Sequence, residues 1–309
     1  MGIFDEQPFR KVISVTRINF GRWKGEQRIW IIFAFIGLLV VHAIRPFAQY
    51  GLDTGKECTG YLLPILFYEG DVSTAGMKMF LYMGCLFLLC DAPFIYRITP
   101  YMVVRSRKEC WWMGECLYIF VTTLFYTVFI TAISTLAILP VATFGDDWGE
   151  VIQAFAFGDG QMNTSELIEN YASFEWSMGI PQETIGYLYP SGAQFYTFIT
   201  VWASFFVLAL LQYLISLVSK SMVIGSVVSA VFVFLSPLLN NWAKASSFAW
   251  VQMLSPVCWV TTNSLKLVDE SRYLTIPYIV TMFIVLILLL LFAIRMASKK
   301  IMVEVRGEV

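Results

Sequence analysis

Residues 116–144 read CLYIFVTTLFYTVFITAISTLAILPVATF, twenty-nine positions without one charged side chain. Lipid offers no partners for open backbone groups, so such a run can only be helical inside a bilayer. About 20 mostly apolar residues suffice to cross. Working outward, three more stretches have the same character, at 196–218, 222–239 and 276–294. The run 29–44 is shorter, but Arg28 and Arg45 flank it and can snorkel from its ends. A sixth stretch, 77–95, holds Lys78 near one end and Asp91 near the other, and it keeps the number of crossings even. The expectation is an all-α membrane protein of six transmembrane helices at about 29–48, 75–96, 112–139, 194–218, 221–240 and 275–296.

Composition agrees. The 309 residues are 58% hydrophobic and 14% charged, with mean hydropathy +0.69, whereas soluble domains carry roughly 25% charge. A net charge of −1 gives no electrostatic basis for a nucleic-acid partner. Ten Trp suit rings placed at two membrane interfaces. The first apolar run follows a polar stretch with six Lys or Arg and no small-residue cleavage site, so the first span is expected to be retained.

Loop charge sets the orientation, since basic loops stay cytoplasmic. One side collects Arg10, Lys11, Arg17, Arg22, Lys24, Arg28, Arg97, Arg105, Arg107, Lys108, Lys220, Arg295, Lys299, Lys300 and Arg306, fifteen in all. The other has six, namely Arg45, Lys56, Lys78, Lys244, Lys266 and Arg272. Both termini are therefore expected inside the cell membrane. Residues 1–28 form a cytoplasmic segment. Within it, positions 8–23 put Phe9, Val12, Ile13, Phe20 and Trp23 near one helical face and most of the Arg and Lys elsewhere. Such a helix can lie on the inner leaflet or pack on the protein itself. The extracellular loop 140–193 between spans three and four has eight acids and no base, and is too long for a simple connector. A small ordered element is expected there, with a short helix near 165–171 and Ser165 as its N-cap.

Much chemistry is excluded. The single histidine, His42, cannot supply paired-His metal or haem ligation and reads as interfacial. There is no G-x-x-x-x-G-K-[ST] loop, so this chain does not bind ATP by a P-loop and is not expected to be an enzyme or to hold a cofactor or metal. Cys58 and Cys258 are the two cysteines placed outside, either as a disulfide or as two free thiols.

Four features bear on function. The loop 93–112 combines Pro93 and Pro100 with clustered Arg105, Arg107, Lys108 and Glu109, which suits a coupling helix that docks a cytoplasmic partner as well as a positive-inside anchor. Asp91 lies at a span's end, with Arg97 its nearest candidate partner in sequence. Thr123, Thr127, Thr131 and Thr135 recur every four residues, and Ser221, Gly225 and Ser229 form a small-residue stripe of the same spacing. Close helix packing explains both; the first could also line a pathway, and the second could make a dimer contact.

Three stretches carry a family resemblance: residues 8–23, the segment TPYMVVRSRKECWWMGE at 99–115, and NNWAKASSFAWVQMLSPVCW at 240–259. With six spans, the chain resembles the type-two ABC exporter permeases. The resemblance implies two permease subunits, identical or different, with separate ABC ATPase subunits that bind ATP and Mg. Arg105, Arg107, Lys108 and Glu109 would dock on the ATPase. Spans two and five would line the route, spans one and five would join the protomers, and short helices would dip back between the last two spans. The long acidic loop departs from many family members. Its charge raises a second reading, a receptor or immunity-type protein that binds a cationic extracellular peptide without pumping it.

Overall fold

The computed structural model describes residues 6–69, 74–94, 108–160, 162–171, 179–245, 249–262, 265 and 274–307. Among the described residues it is all-α apart from a two-residue parallel pairing of β1 (Cys58–Thr59) with β2 (Ala142–Thr143) and an isolated bridge between Leu265 and Leu274. In chain order the helices are α1 (Glu6–Arg22), α2 (Gln27–Thr54), the single turn α3 (Leu63–Leu66), α4 (Gly76–Leu88) and α5 (Lys108–Ile138). Three short helices follow, α6 (Gly149–Phe157), α7 (Thr164–Tyr171) and α8 (Gln182–Tyr187), and then α9 (Pro190–Ser219), α10 (Met222–Ala245) and α11 (Ile276–Gly307). Among the described residues, α2, α5, α9, α10 and α11 are long and apolar enough to cross a membrane.

Their packing is that of a multi-pass membrane protein. The best 18-residue window of α9 is 67% buried, against 22% for that of α11, so α9 is the axis of the bundle. One face of each of α2, α10 and α11 carries large apolar side chains outward, as Leu38, Val223 and Leu288 do. Water would penalise such a surface, whereas lipid tails solvate it. The bundle has two ends of opposite charge. The basic end holds α1, the start of α5 and the turn from α9 to α10. The acidic end holds β1, α3 and α6–α8.

The expected second crossing is not a long helix among the described residues. In place of a helix over about 75–96, α4 runs 13 residues and stops at Leu88, a rise of about 20 Å where the hydrocarbon needs about 30 Å. Two side chains show why it can stop. Gln212 of α9 donates to the carbonyls of Leu86 (3.3 Å) and Leu89 (3.2 Å), supplying partners that lipid cannot. At the other end Lys78, set at the membrane edge by hydropathy, is buried within the protein with its charge compensated. The turn α3 is buried throughout.

Loop 140–193 forms a cap. Trp148, Val151, Ile152, Phe155 and Leu167 share one hydrophobic core with Ile44, Phe47 and Tyr50 of α2. Gly149 permits the seating: its φ is +75°, and a Cβ there would sit 2.7 Å from the Glu57 carbonyl oxygen and 2.9 Å from the Cys58 Cα. The Tyr50 hydroxyl donates to Asp159 (2.7 Å) and accepts from Lys56 (2.9 Å), latching cap to helix. That bond to Tyr50, ahead of the nearby Asp159 charge, raises the Lys56 pKa. In α7 the expected Ser165 cap is displaced. The helix begins at Thr164, and Glu166 reaches back to the Asn163 amide at 3.0 Å, the acidic half of a capping box centred on Asn163.

Candidate functional site: a charged junction at the basic end

The junction is built from α1, the start of α2, the end of α4 and the start of α5. On α1, Val15, Thr16 and Asn19 fall on one face by helical spacing, and Trp23 just past its end continues it. On α5, Gly114, Glu115 and Tyr118 face them. Thr16 Oγ1 donates to the Gly114 carbonyl (2.9 Å), Asn19 Nδ2 to Glu115 Oε2 (2.6 Å) and Trp23 Nε1 to the Tyr118 hydroxyl (2.9 Å). Gly114 allows the approach, because a Cβ there would lie 2.6 Å from the Val15 Cβ. Phe20 closes the contact edge-on to the Tyr118 ring at 4.9 Å. Between the two readings of residues 8–23, this face packs on the protein, while Phe9 and Ile13 remain exposed at 69% and 43%.

Beside this clasp runs a chain of charges. Arg28 grips Asp91 through two parallel bonds, Nη1–Oδ1 at 2.7 Å and Nη2–Oδ2 at 2.5 Å, the geometry in which a guanidinium and a carboxylate bind best. Glu26 joins Arg22 (2.9 Å) to Arg28 (3.4 Å), and the Cys90 Sγ lies 3.0 Å from Arg28 Nη1. Asp91 is thus tied to the first long helix. Arg97, its expected partner, lies outside the described residues. A notch of about 260 Å³, open to solvent, lies over Asn19, Glu26, Arg28 and Asp91. It has room for roughly one water, too little for a substrate chamber.

Of the expected coupling residues, Arg105 and Arg107 lie outside the described residues, as does the side chain of Lys108, whose backbone opens α5. Glu109 is exposed in that first turn, where an acid suits the helix dipole. The next two turns bury Trp111 and Trp112 and present Gly114 and Glu115 to α1.

The two stripes are occupied within the chain. Thr123, Thr127 and Thr131 donate to their own helix, at Ile119, Thr123 and Thr127, and Thr135 reaches Gly60. These bonds satisfy the four hydroxyls within the chain. Gly225 is buried against α9, where a Cβ would meet the Ser216 Oγ at 1.9 Å, and Ser229 is buried too. Ser221 is half-buried at the start of the same crossing. Gly225 and Ser229 lie within the α9–α10 hairpin, where small residues let the two backbones approach. Cys58 and Cys258 are buried, are not joined by a disulfide, and have different neighbours. Cys58 lies in β1, and Cys258 faces Ser236 Oγ at 3.2 Å. Burial pushes the Cys58 thiol up to about 12.

Sequence reasoning missed two charges. Lys78 Nζ bonds Glu69 Oε2 at 2.5 Å and Thr261 at 3.0 Å, tying α4 to the segments on either side of it at the acidic end, with both charged side chains almost fully buried. Glu115 is 1% exposed. Glu69, nine residues before Lys78, was the available signal for the first. The spacing of Val15, Asn19 and Trp23 was the signal for the second. No family model, no curated protein and no solved structure matches this chain.

Proposed function

We propose that this chain is the membrane subunit of an ABC exporter, a permease that moves a substrate outward using ATP hydrolysed with Mg on separate ATPase subunits. In this reading it crosses the cell membrane six times, with α4 and its flanking turns as the second crossing and both termini inside. A second permease subunit completes the transporter. The observation that carries the reading is the clasp of α1 across the first turns of α5, immediately after the basic segment. A partner pressing on that segment moves α1 and α5 together, and the Arg28–Asp91 fork passes the motion to α2 and α4. Reversing charge at Arg105, Arg107 and Lys108 is expected to abolish copurification of an ATPase from native membranes while insertion is unchanged. An undiminished complex would overturn the coupling role.

The receptor reading draws on the cap, where Asp146, Asp147, Glu150, Glu166, Glu169 and Glu183 are exposed. Such a face attracts cationic peptides. It would be favoured if the wild-type chain purified without any ATPase and bound a cationic peptide in a salt-sensitive way.

A further inference from the structure

Of the six asparagines in the sequence, Asn163 alone begins an Asn-x-Ser/Thr triplet, Asn163-Thr164-Ser165. The fold sets that triplet where α6 hands over to α7, at the acidic end. The turn before it is closed twice: the Asp159 amide donates to the Met162 carbonyl (3.3 Å), and the Met162 amide donates to Asp159 Oδ1 (2.9 Å). Asn163 then stands immediately before the first residue of α7. Its backbone amide donates to Glu166 Oε2 (3.0 Å), and its carbonyl accepts from the Leu167 amide (3.0 Å). An asparagine at this position commonly turns its side chain onto an amide of the first helical turn. Here Glu166 takes part in the cap instead, and the Asn163 side-chain amide makes no hydrogen bond among the described residues. Asn163 and Ser165 are both exposed.

We propose that Asn163 is the acceptor for an N-linked oligosaccharide when the chain is inserted at a membrane that carries an oligosaccharyltransferase. In the transfer, Asn163 Nδ2 bonds to C1 of the first sugar of a polyprenyl-diphosphate-linked oligosaccharide. The bond from C1 to the diphosphate oxygen breaks, the polyprenyl diphosphate leaves, and one Nδ2 proton passes to a base of the transferase. Nothing is oxidised or reduced. Ser165 supplies the hydroxyl that such enzymes read two residues past the acceptor. The triplet lies 25 residues after Ile138 and 27 before Pro190. Before the cap folds, about 80 Å of extended chain on either side can carry it clear of the bilayer. In the folded cap, α7 also exposes Glu166, Glu169 and Asn170, so a hydrated glycan meets water and charge there. The proposal rests on the orientation that puts the cap outside, and not on pumping.

The test is translation of the full chain into rough microsomes, which carry the transferase and its sugar donor. Wild type is expected to gain one glycan, seen as a single upward gel shift that peptide N-glycosidase reverses. Asn163→Gln and Ser165→Ala should each lose the shift completely. A further variant separates the acceptor from the orientation. Ala172→Thr, added to Asn163→Gln, completes a second triplet at Asn170 within the same loop. Modification of that variant but not of wild type overturns the proposal and leaves the cap outside. No modification of either overturns the proposal together with the outward cap. A shift that survives Asn163→Gln or Ser165→Ala overturns it as well.

Discussion

Replacing Lys78 by Met removes a buried positive charge from beside Glu69. At 2.5 Å and an effective dielectric of about 20, the gross attraction is roughly 7 kcal/mol. Stripping water from two ions costs several kcal/mol each. The intact pair therefore contributes little net stability, while breaking it is expensive. The single variant Lys78→Met leaves the Glu69 carboxylate, 1% exposed, without that charge, at an expected cost of about 3–5 kcal/mol. Glu69→Leu strands the ammonium, apart from its bond to Thr261, at a similar expected cost. The double variant Lys78→Met/Glu69→Leu fills the same space with apolar atoms and should return to within about 1 kcal/mol of wild type or exceed it. Reversible unfolding in mixed micelles, followed by tryptophan fluorescence, closes the cycle, since Trp259 is buried close in sequence to Thr261. The reasoning is refuted if either single variant costs under about 1 kcal/mol, or if the double variant costs the sum of the two.

Two further outcomes test the junction and the cap. Gly114→Leu should lift α1 from α5, because even a Cβ there lies 2.6 Å from Val15; amide exchange at residues 12–20 should quicken by at least about tenfold, equivalent to losing roughly 1.4 kcal/mol of docking, and unchanged exchange would show that α1 is held elsewhere. The Cys58 thiol, pushed up to about 12, should be about one part in ten thousand thiolate at pH 8. Alkylation without reductant should then be slow in the folded protein, accelerating about tenfold per pH unit below 12 and becoming complete on denaturation; a mass loss of two hydrogens that reductant reverses would show a disulfide instead.

The membrane class was legible because it follows from composition and run length. Thirty apolar residues have no stable alternative to a helix in lipid, so α5, α9 and α11 could be read directly, and the amphipathic α1 nearly so. The spacing of Thr123 to Thr135 and of Ser221 to Ser229 was legible as well, but not which neighbour each stripe meets. Periodicity gives a face and not its partner, and the fold sets Gly225 against Ser216 of α9.

Tertiary structure alone decided the fate of the charges. Asp91 could be matched in sequence only to a nearby residue, whereas the fold supplied Arg28 from 63 positions away. Lys78 reads as a membrane-edge lysine until α4 is placed against Glu69 and Thr261, 9 and 183 residues distant. The short α4 has the same origin, since its last carbonyls are satisfied by Gln212 from another helix. Hydropathy adds up each residue's own transfer energy. A buried ion pair or a cross-helix cap depends on two residues meeting, and that exists only once the helices have packed.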